Sequence, residues 1–221
     1  MHTDLEKTDH DTLVAAMASA DFYPHKPAEI IHKQTHISDV FLAGDLVYKV
    51  KKPVNLGFLD FSTLEKRHEF CCEEVRLNQR LTTDIYLGVE KITRDKNGYG
   101  LNRSGQTVVD YAVKMRRLPD ENTLKSLLLS NRVTESFIER LIHTLSDFYT
   151  TSALTKKEME QFGSFDAIWQ NCQDNFNQLP DFSDTGAPQK KLQLIKAATR
   201  MFMDHHKELF DRRIENNHIC D

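Results

Sequence analysis

Lysines in one short run of this sequence have the type and spacing that phosphate chemistry requires. From Leu46 to Lys51 the side chains alternate as on a β-strand, which places Lys49 and Lys51 on the same face. A strand lysine can hold the phosphates of a nucleotide, and we assign this role to Lys49, with Lys51 and Lys52 as open alternatives. A solvated strand edge, where lysines are common, would explain the same residues without a ligand.

A carboxylate that could pair with this lysine is expected on the helix predicted from Ser62 to Leu81. Ser62 and Glu65 have the S-x-x-E spacing of a capping box, and neither glycine nor proline interrupts the residues that follow. Helical spacing places Glu74 on an inward stripe, whereas Glu73 lies on the solvent side. The predicted stripe consists of Phe70, Glu74, Leu77 and Leu81. Because an inward carboxylate requires a cation, we predict a pair with Lys49; a Glu74 at the stripe's edge in water is the alternative.

Strand signals dominate the chain up to Pro119, and helix signals dominate after it. The predicted strands are Ala28–Gln34, Val40–Leu42, Leu46–Lys51, Leu87–Thr93 and Thr107–Met115. Four helical stretches follow: one around Leu124–Leu128, Thr134–Tyr149, one capped by Ser164, and one that Pro188 opens after a loop at 180–188. This order predicts an α+β fold, an antiparallel sheet with one inserted helix followed by a helical part, and not a βαβ alternation.

Composition limits the classes of partner. The 221 residues are 39% hydrophobic and 28% charged with a net charge of -4, typical of a soluble globular protein without general affinity for nucleic acid or membranes. The polar N-terminus is not a secretory signal, and the four cysteines include no C-x-x-C pair, so we expect a cytoplasmic protein. Ten histidines show no H-E-x-x-H spacing, and we therefore predict no metal site within this chain.

The predicted elements resemble the small lobe of a protein kinase, in which a third-strand lysine and a helix glutamate form a pair. Kinases place a glycine-rich loop over the phosphates between the first two strands. The corresponding loop, Thr35–Asp39, contains no glycine. Its Ser38 could offer a hydroxyl and a backbone N–H to a phosphate, although a plain polar turn is an equal alternative.

Long runs of the chain resemble a family of bacterial proteins similar to aminoglycoside phosphotransferases. These runs are Thr35–Pro53, Leu56–Glu65, Glu74–Asn78 and Tyr111–Pro119. The resemblance covers most of residues 21–120 and is looser beyond, where it consists of helix order and Phe162–Ser164. Members of this family often add a second, P-loop kinase-like domain.

The resemblance implies a protein-kinase-like fold with ATP as the nucleotide. Residues 1–20 would be an N-terminal polar or helical extension, 21–118 the small lobe and 119–221 an incomplete helical large lobe. Lys49 and Glu74 would form the phosphate-side pair. The adenine would lie against the segment around Met115 to Leu118, which includes Arg116 and Arg117, and use backbone hydrogen bonds. The acceptor would be a small molecule that the sequence does not identify.

The residues that transfer a phosphoryl group are the part of the family pattern that this sequence lacks. A complete member would bind Mg²⁺ and orient the acceptor with a loop resembling His-Gly-Asp-x-x-x-x-Asn and a later aspartate, and neither this loop nor a G-x-x-x-x-G-K-[ST] motif occurs here. The sequence ends about where that loop would begin, so we expect a chain that binds ATP but is not catalytically competent. A non-enzymatic interaction module derived from a kinase fold is the alternative. A third possibility is an unrelated α+β domain with no ligand, which a large distance between Lys49 and Glu74 would favour.

Overall fold

The computed structural model of the protein has an α+β fold, as predicted, with one antiparallel sheet and several helices. It describes residues 3–82, 84–96, 98–104, 106–152, 154–179 and 187–220, without the side chains of 3–8 and 187–188. The chain forms two compact units, Met1–Arg132 and Val133–Asp221. The first unit therefore extends beyond residue 118, the predicted end of the small lobe.

Six strands form the sheet of the first unit, with every neighbouring pair antiparallel and the spatial order β1-β2-β3-β6-β4-β5. They are β1 Ile30–Gln34, β2 Ser38–Ala43, β3 Leu46–Lys51, β4 Tyr86–Asp95, β5 Gly98–Leu101 and β6 Thr107–Arg116. Gly44, with φ of 64°, makes the turn between β2 and β3 in a conformation that glycine adopts without strain. The strand pattern predicted all of these strands except β5, which is short and contains two glycines.

The described residues of the first unit include the α-helices α1 Thr3–Met17, α2 Leu64–Asn78 and α3 Leu124–Leu129. The predicted capping box at Ser62 is wrong by one residue, because Thr63 is the N-cap of α2 and its Oγ1 accepts from the backbone N–H of Lys66. Ser62 instead donates its hydroxyl and its backbone N–H to Asp60 Oδ1 in the preceding turn. The helix also ends at Asn78, so Leu81 lies beyond it and is largely exposed.

Helix α1 supplies part of the hydrophobic core of the first unit. Leu13 and Met17 are buried against Tyr48, which projects from the sheet on the face opposite Lys49. Tyr23, just after α1, donates its hydroxyl to the carbonyl of Met17 at 2.7 Å and so joins the end of the helix to this core. Residues predicted to be an N-terminal extension thus take part in the packing of the sheet.

The second unit is helical. Its helices are α4 Glu135–Thr151, α5 Lys156–Gly163, α6 Phe165–Gln178, α7 Ala187–His205 and α8 Lys207–Glu215. Ser164 caps α6 as predicted. Helix α4 begins at Glu135, one residue after the predicted start, and Thr134 is its N-cap. The last predicted helix is divided at His206, and α5 was not predicted although its Thr155–Glu158 capping box is visible in the sequence. The predicted loop at 180–188 lies largely outside the described residues, which resume at Ala187.

Candidate functional site

Lys49, Glu74 and Lys51 form an ion-paired cluster on one face of the sheet. Lys49 Nζ donates to Glu74 Oε1 at 2.8 Å, and Lys51 Nζ donates to Glu74 Oε2 at 2.7 Å. The predicted Lys49–Glu74 pair is therefore present, with a second lysine on the other carboxylate oxygen. A large separation between Lys49 and Glu74 would have favoured the unrelated-domain hypothesis, and the two side chains are instead in contact.

Strand β3 and helix α2 position the Lys49–Glu74–Lys51 cluster. Residues 49 and 51 are two apart on β3, which lies between β2 and β6, so both side chains point to the face that α2 covers. On α2, the buried Cys71 lies one turn before Glu74 and its Sγ is 4.0 Å from the carbonyl oxygen of Tyr111 on β6. The Glu74 side of the helix therefore faces the sheet.

Glu73 and Lys52, the competing candidates, point elsewhere. Glu73 receives two hydrogen bonds from the Arg76 guanidinium on the exposed side of α2, as helical spacing predicts. Lys52 donates to the backbone carbonyl of Thr35 at 2.6 Å. Lys52 follows Lys51 directly, so its side chain points to the other side of the backbone. Lys49 and Lys51 therefore contact Glu74, and Lys52 does not.

The electrostatics of the cluster keep Glu74 ionised. Burial alone would raise the pKa of Glu74, but the hydrogen bonds from Lys49 and Lys51 outweigh burial and hold the pKa below its ordinary value. Two ammonium groups and one carboxylate leave a formal charge of +1. Since 28% of the Lys49 side chain is exposed, a ligand in solvent can approach this excess positive charge.

Ser38 is placed differently from a phosphate-binding serine. Its backbone N–H donates to Thr35 Oγ1 at 3.0 Å, so that donor is already in use. Its side chain is fully buried, and among the described residues its Oγ has no hydrogen-bond partner. In this conformation Ser38 presents neither group to solvent, and the Thr35–Asp39 loop would have to open for it to contact a phosphate.

In the predicted adenine segment, Met115 and Arg116 are the last two residues of β6, and Arg117 follows the strand. Met115 pairs with Val47 on one side and Tyr86 on the other. The backbone N–H groups of Arg116 and Arg117 donate to Ile85 and Asp45, each at 2.8 Å. These two N–H groups are occupied within the protein, and a base would have to use other backbone groups of this segment.

Two buried polar clusters were not found from the sequence. Asp39 accepts hydrogen bonds from His10 at 2.9 Å and His32 at 2.8 Å, which join α1 and β1 to β2. Burial would raise the pKa of Asp39, but these hydrogen bonds lower it below its ordinary value. Arg67 on α2 donates to Asp110 on β6 at 2.9 Å. Pairs so distant in sequence leave no local spacing signal.

A cavity of about 190 Å³ lies between α1 and α2 in the first unit. Its lining includes His10, Arg67, Arg94 and Asp110 and does not include the three residues of the Lys49–Glu74–Lys51 cluster. This cavity is thus separate from the candidate site on the β3–α2 face.

The part of the chain that the structure describes has neither a metal-binding cluster nor a membrane-spanning helix. It contains no group of three or more histidine, cysteine, aspartate or glutamate side chains arranged to hold a metal ion. None of its helices combines the length and the apolar character that crossing a membrane demands.

The chain is similar to proteins from two mycobacterial species. It is 28% identical over 189 residues to the uncharacterized proteins Rv2004c and MT2060 of Mycobacterium tuberculosis and Mb2027c of Mycobacterium bovis. The alignment covers 86% of this chain but 36% of each relative, so the chain spans about a third of the length of these proteins. Neither a family model nor a solved structure matches the chain.

Proposed function

We propose that this chain is the ATP-binding portion of a kinase-like small-molecule phosphotransferase related to aminoglycoside phosphotransferases. The observation that carries the proposal is the 2.8 Å ion pair between Lys49 on the third strand and Glu74 on the following helix. In kinases a lysine on the third strand contacts the nucleotide phosphates while a helix glutamate holds it. In this chain the two residues likewise lie on the third strand and on the helix that follows it, which supports the proposal.

Charge and exposure support a phosphate ligand at this position. The Lys49–Glu74–Lys51 cluster has a formal charge of +1, and Lys49 is its most exposed member. Phosphate oxygens are strong acceptors for an ammonium group. Phosphoryl transfer itself is assigned to residues that this sequence does not contain, since it has no His-Gly-Asp motif for acceptor positioning and Mg²⁺ binding.

The proposal is tested by thermal unfolding of the full chain with and without Mg-ATP. We expect Mg-ATP to raise the Tm of the wild type, because a ligand that binds the folded state at 100 times its Kd adds about 2.7 kcal/mol. Lys49→Met should abolish the increase, since it removes the ammonium and keeps the length of the side chain. No increase in the wild type, or an equal increase in Lys49→Met, would refute nucleotide binding at this site.

Lys114→Met is a matched control for this experiment. Lys114 pairs with Glu90 at 2.9 Å, and 29% of its side chain is exposed, close to the 28% of Lys49. Lys114 lies opposite Tyr48, the neighbour of Lys49 on β3, so the two lysines project from opposite faces of the sheet. We expect Lys114→Met to keep the full response to Mg-ATP, even if it lowers the Tm of the unliganded protein.

A second candidate function, a non-enzymatic protein-interaction module, is favoured by exposed apolar side chains in the second unit. Ile142 on α4 is 59% exposed and Leu194 on α7 is 71% exposed. Apolar surface of this kind is typical of interaction sites when it is contiguous. This alternative predicts that the wild type shows no response to Mg-ATP, ADP or inorganic triphosphate.

A further inference from the structure

Glu74 is held by two lysines that differ in how freely they can move. The side chain of Lys51 is 6% exposed, whereas that of Lys49 is 28% exposed. Lys51 Nζ also lies 4.8 Å from the centre of the Phe61 ring, and Phe61 is itself buried. Burial and this cation–π contact confine the Lys51 ammonium, so Lys49 is the lysine of the pair that can turn toward a ligand.

We propose that Lys51 is a positioning residue, which holds the Glu74 carboxylate and balances its charge while the Lys49 ammonium engages a phosphate. This inference rests on the proposed nucleotide-binding function and assigns within it a role to a second lysine.

A second lysine on Glu74 favours phosphate binding because a partly buried carboxylate that loses its cation raises the free energy of the protein. If Lys49 were the one lysine beside Glu74, a phosphate and Glu74 would compete for the same ammonium. Phosphate binding would then leave the negative charge of Glu74 less well neutralised. With Lys51 on Oε2, the carboxylate keeps a charge-assisted hydrogen bond at 2.7 Å when Lys49 is shared. Lys51 also raises the formal charge of the cluster from zero to +1, which favours the approach of an anion.

The first test requires no nucleotide. The pKa of the Glu74 carboxyl group is measured by ¹³C NMR in the wild type, Lys51→Met and Lys51→Arg. Methionine preserves most of the packing against Phe61 but removes the charge, so we expect the pKa of Glu74 to rise in Lys51→Met and to be restored in Lys51→Arg. A role in packing alone would leave the pKa of Glu74 unchanged in Lys51→Met, and that result would overturn the proposal.

The second test is the affinity for Mg-ATP, measured by calorimetry on the same variants. We expect Lys51→Met to raise the Kd by roughly tenfold or more, the size expected for one lost hydrogen bond between charged groups, and Lys51→Arg to restore most of the affinity. Wild-type binding with an equal Kd in Lys51→Met would overturn the role of Lys51 but leave the proposed function standing. No binding by the wild type would overturn both.

Discussion

The Arg67 guanidinium donates to the Asp110 carboxylate at 2.9 Å and joins helix α2 to strand β6 across 43 residues of sequence. Arg67 Nη1 also donates to the carbonyl of Phe61 at 3.1 Å. The side chains of Arg67 and Asp110 are 10% and 5% exposed. This buried pair joins the helix that carries Glu74 to the sheet, and we expect it to help fix the geometry of the candidate site.

Asp110→Asn is expected to destabilise the first unit by about 3–5 kcal/mol, because it leaves the Arg67 guanidinium buried without an anion. Urea unfolding monitored by circular dichroism measures the change. Asp9→Asn is the control, since the Asp9–Arg94 pair is largely exposed and its loss should leave the unfolding free energy nearly unchanged. Equal effects of the two substitutions would show that the Arg67–Asp110 pair does not anchor α2.

Met17→Ala tests whether α1 is part of the core of the first unit. Met17 is fully buried, and truncation of a buried methionine to alanine costs about 2–5 kcal/mol through lost apolar contacts and the remaining cavity. Denaturant unfolding should show this loss. Leu81→Ala, at a position that is 47% exposed, should have a much smaller effect. A Met17→Ala protein as stable as Leu81→Ala would indicate that α1 is a dispensable extension.

The lowered pKa of Asp39 predicts that the unfolding free energy falls at acid pH. The pKa of Asp39 is lower in the folded protein than in the unfolded chain, so its contribution is complete above the unfolded value of about 3.9 and is lost as pH falls through the lower folded value. We therefore expect Asp39→Asn to flatten the decline of the unfolding free energy below about pH 4. Denaturant unfolding at a series of pH values measures this slope.

Asp45→Asn is the control for the acid experiment, because Asp45 lies exposed on the turn between β2 and β3. The unfolding free energy of Asp45→Asn should change with pH as steeply as that of the wild type. An Asp39→Asn slope that also follows the wild type would show that the His10 and His32 contacts do not set the acid stability.

Glu74→Gln should lower the unfolding free energy by about 1–3 kcal/mol, because the buried Lys51 ammonium loses its anion. Adding Lys51→Met to this variant removes the unpaired charge, and we expect the double variant to recover part of the loss. A double-mutant cycle from urea unfolding gives the coupling between the two residues. Additive effects would contradict a direct interaction between Glu74 and Lys51.

Local periodicity accounts for most of what could be predicted about the fold. Strand alternation placed Lys49 and Lys51 on one face, and helical spacing separated Glu74 from Glu73 because both patterns repeat within a few residues. The same reasoning missed β5, whose pairing with β4 compensates for a composition that does not favour a strand. It also extended α2 to Leu81, beyond the observed end at Asn78.

The sequence by itself determined the faces on which Lys49, Lys51 and Glu74 lie, because side-chain direction follows from the local backbone repeat. Only the tertiary structure decided that both lysines contact Glu74, that Ser38 is buried, and that α1 packs on the sheet. These features depend on how segments distant in sequence dock against one another. Docking depends on the packing of many side chains from different segments, so it cannot be predicted from the residue spacing within one helix or strand.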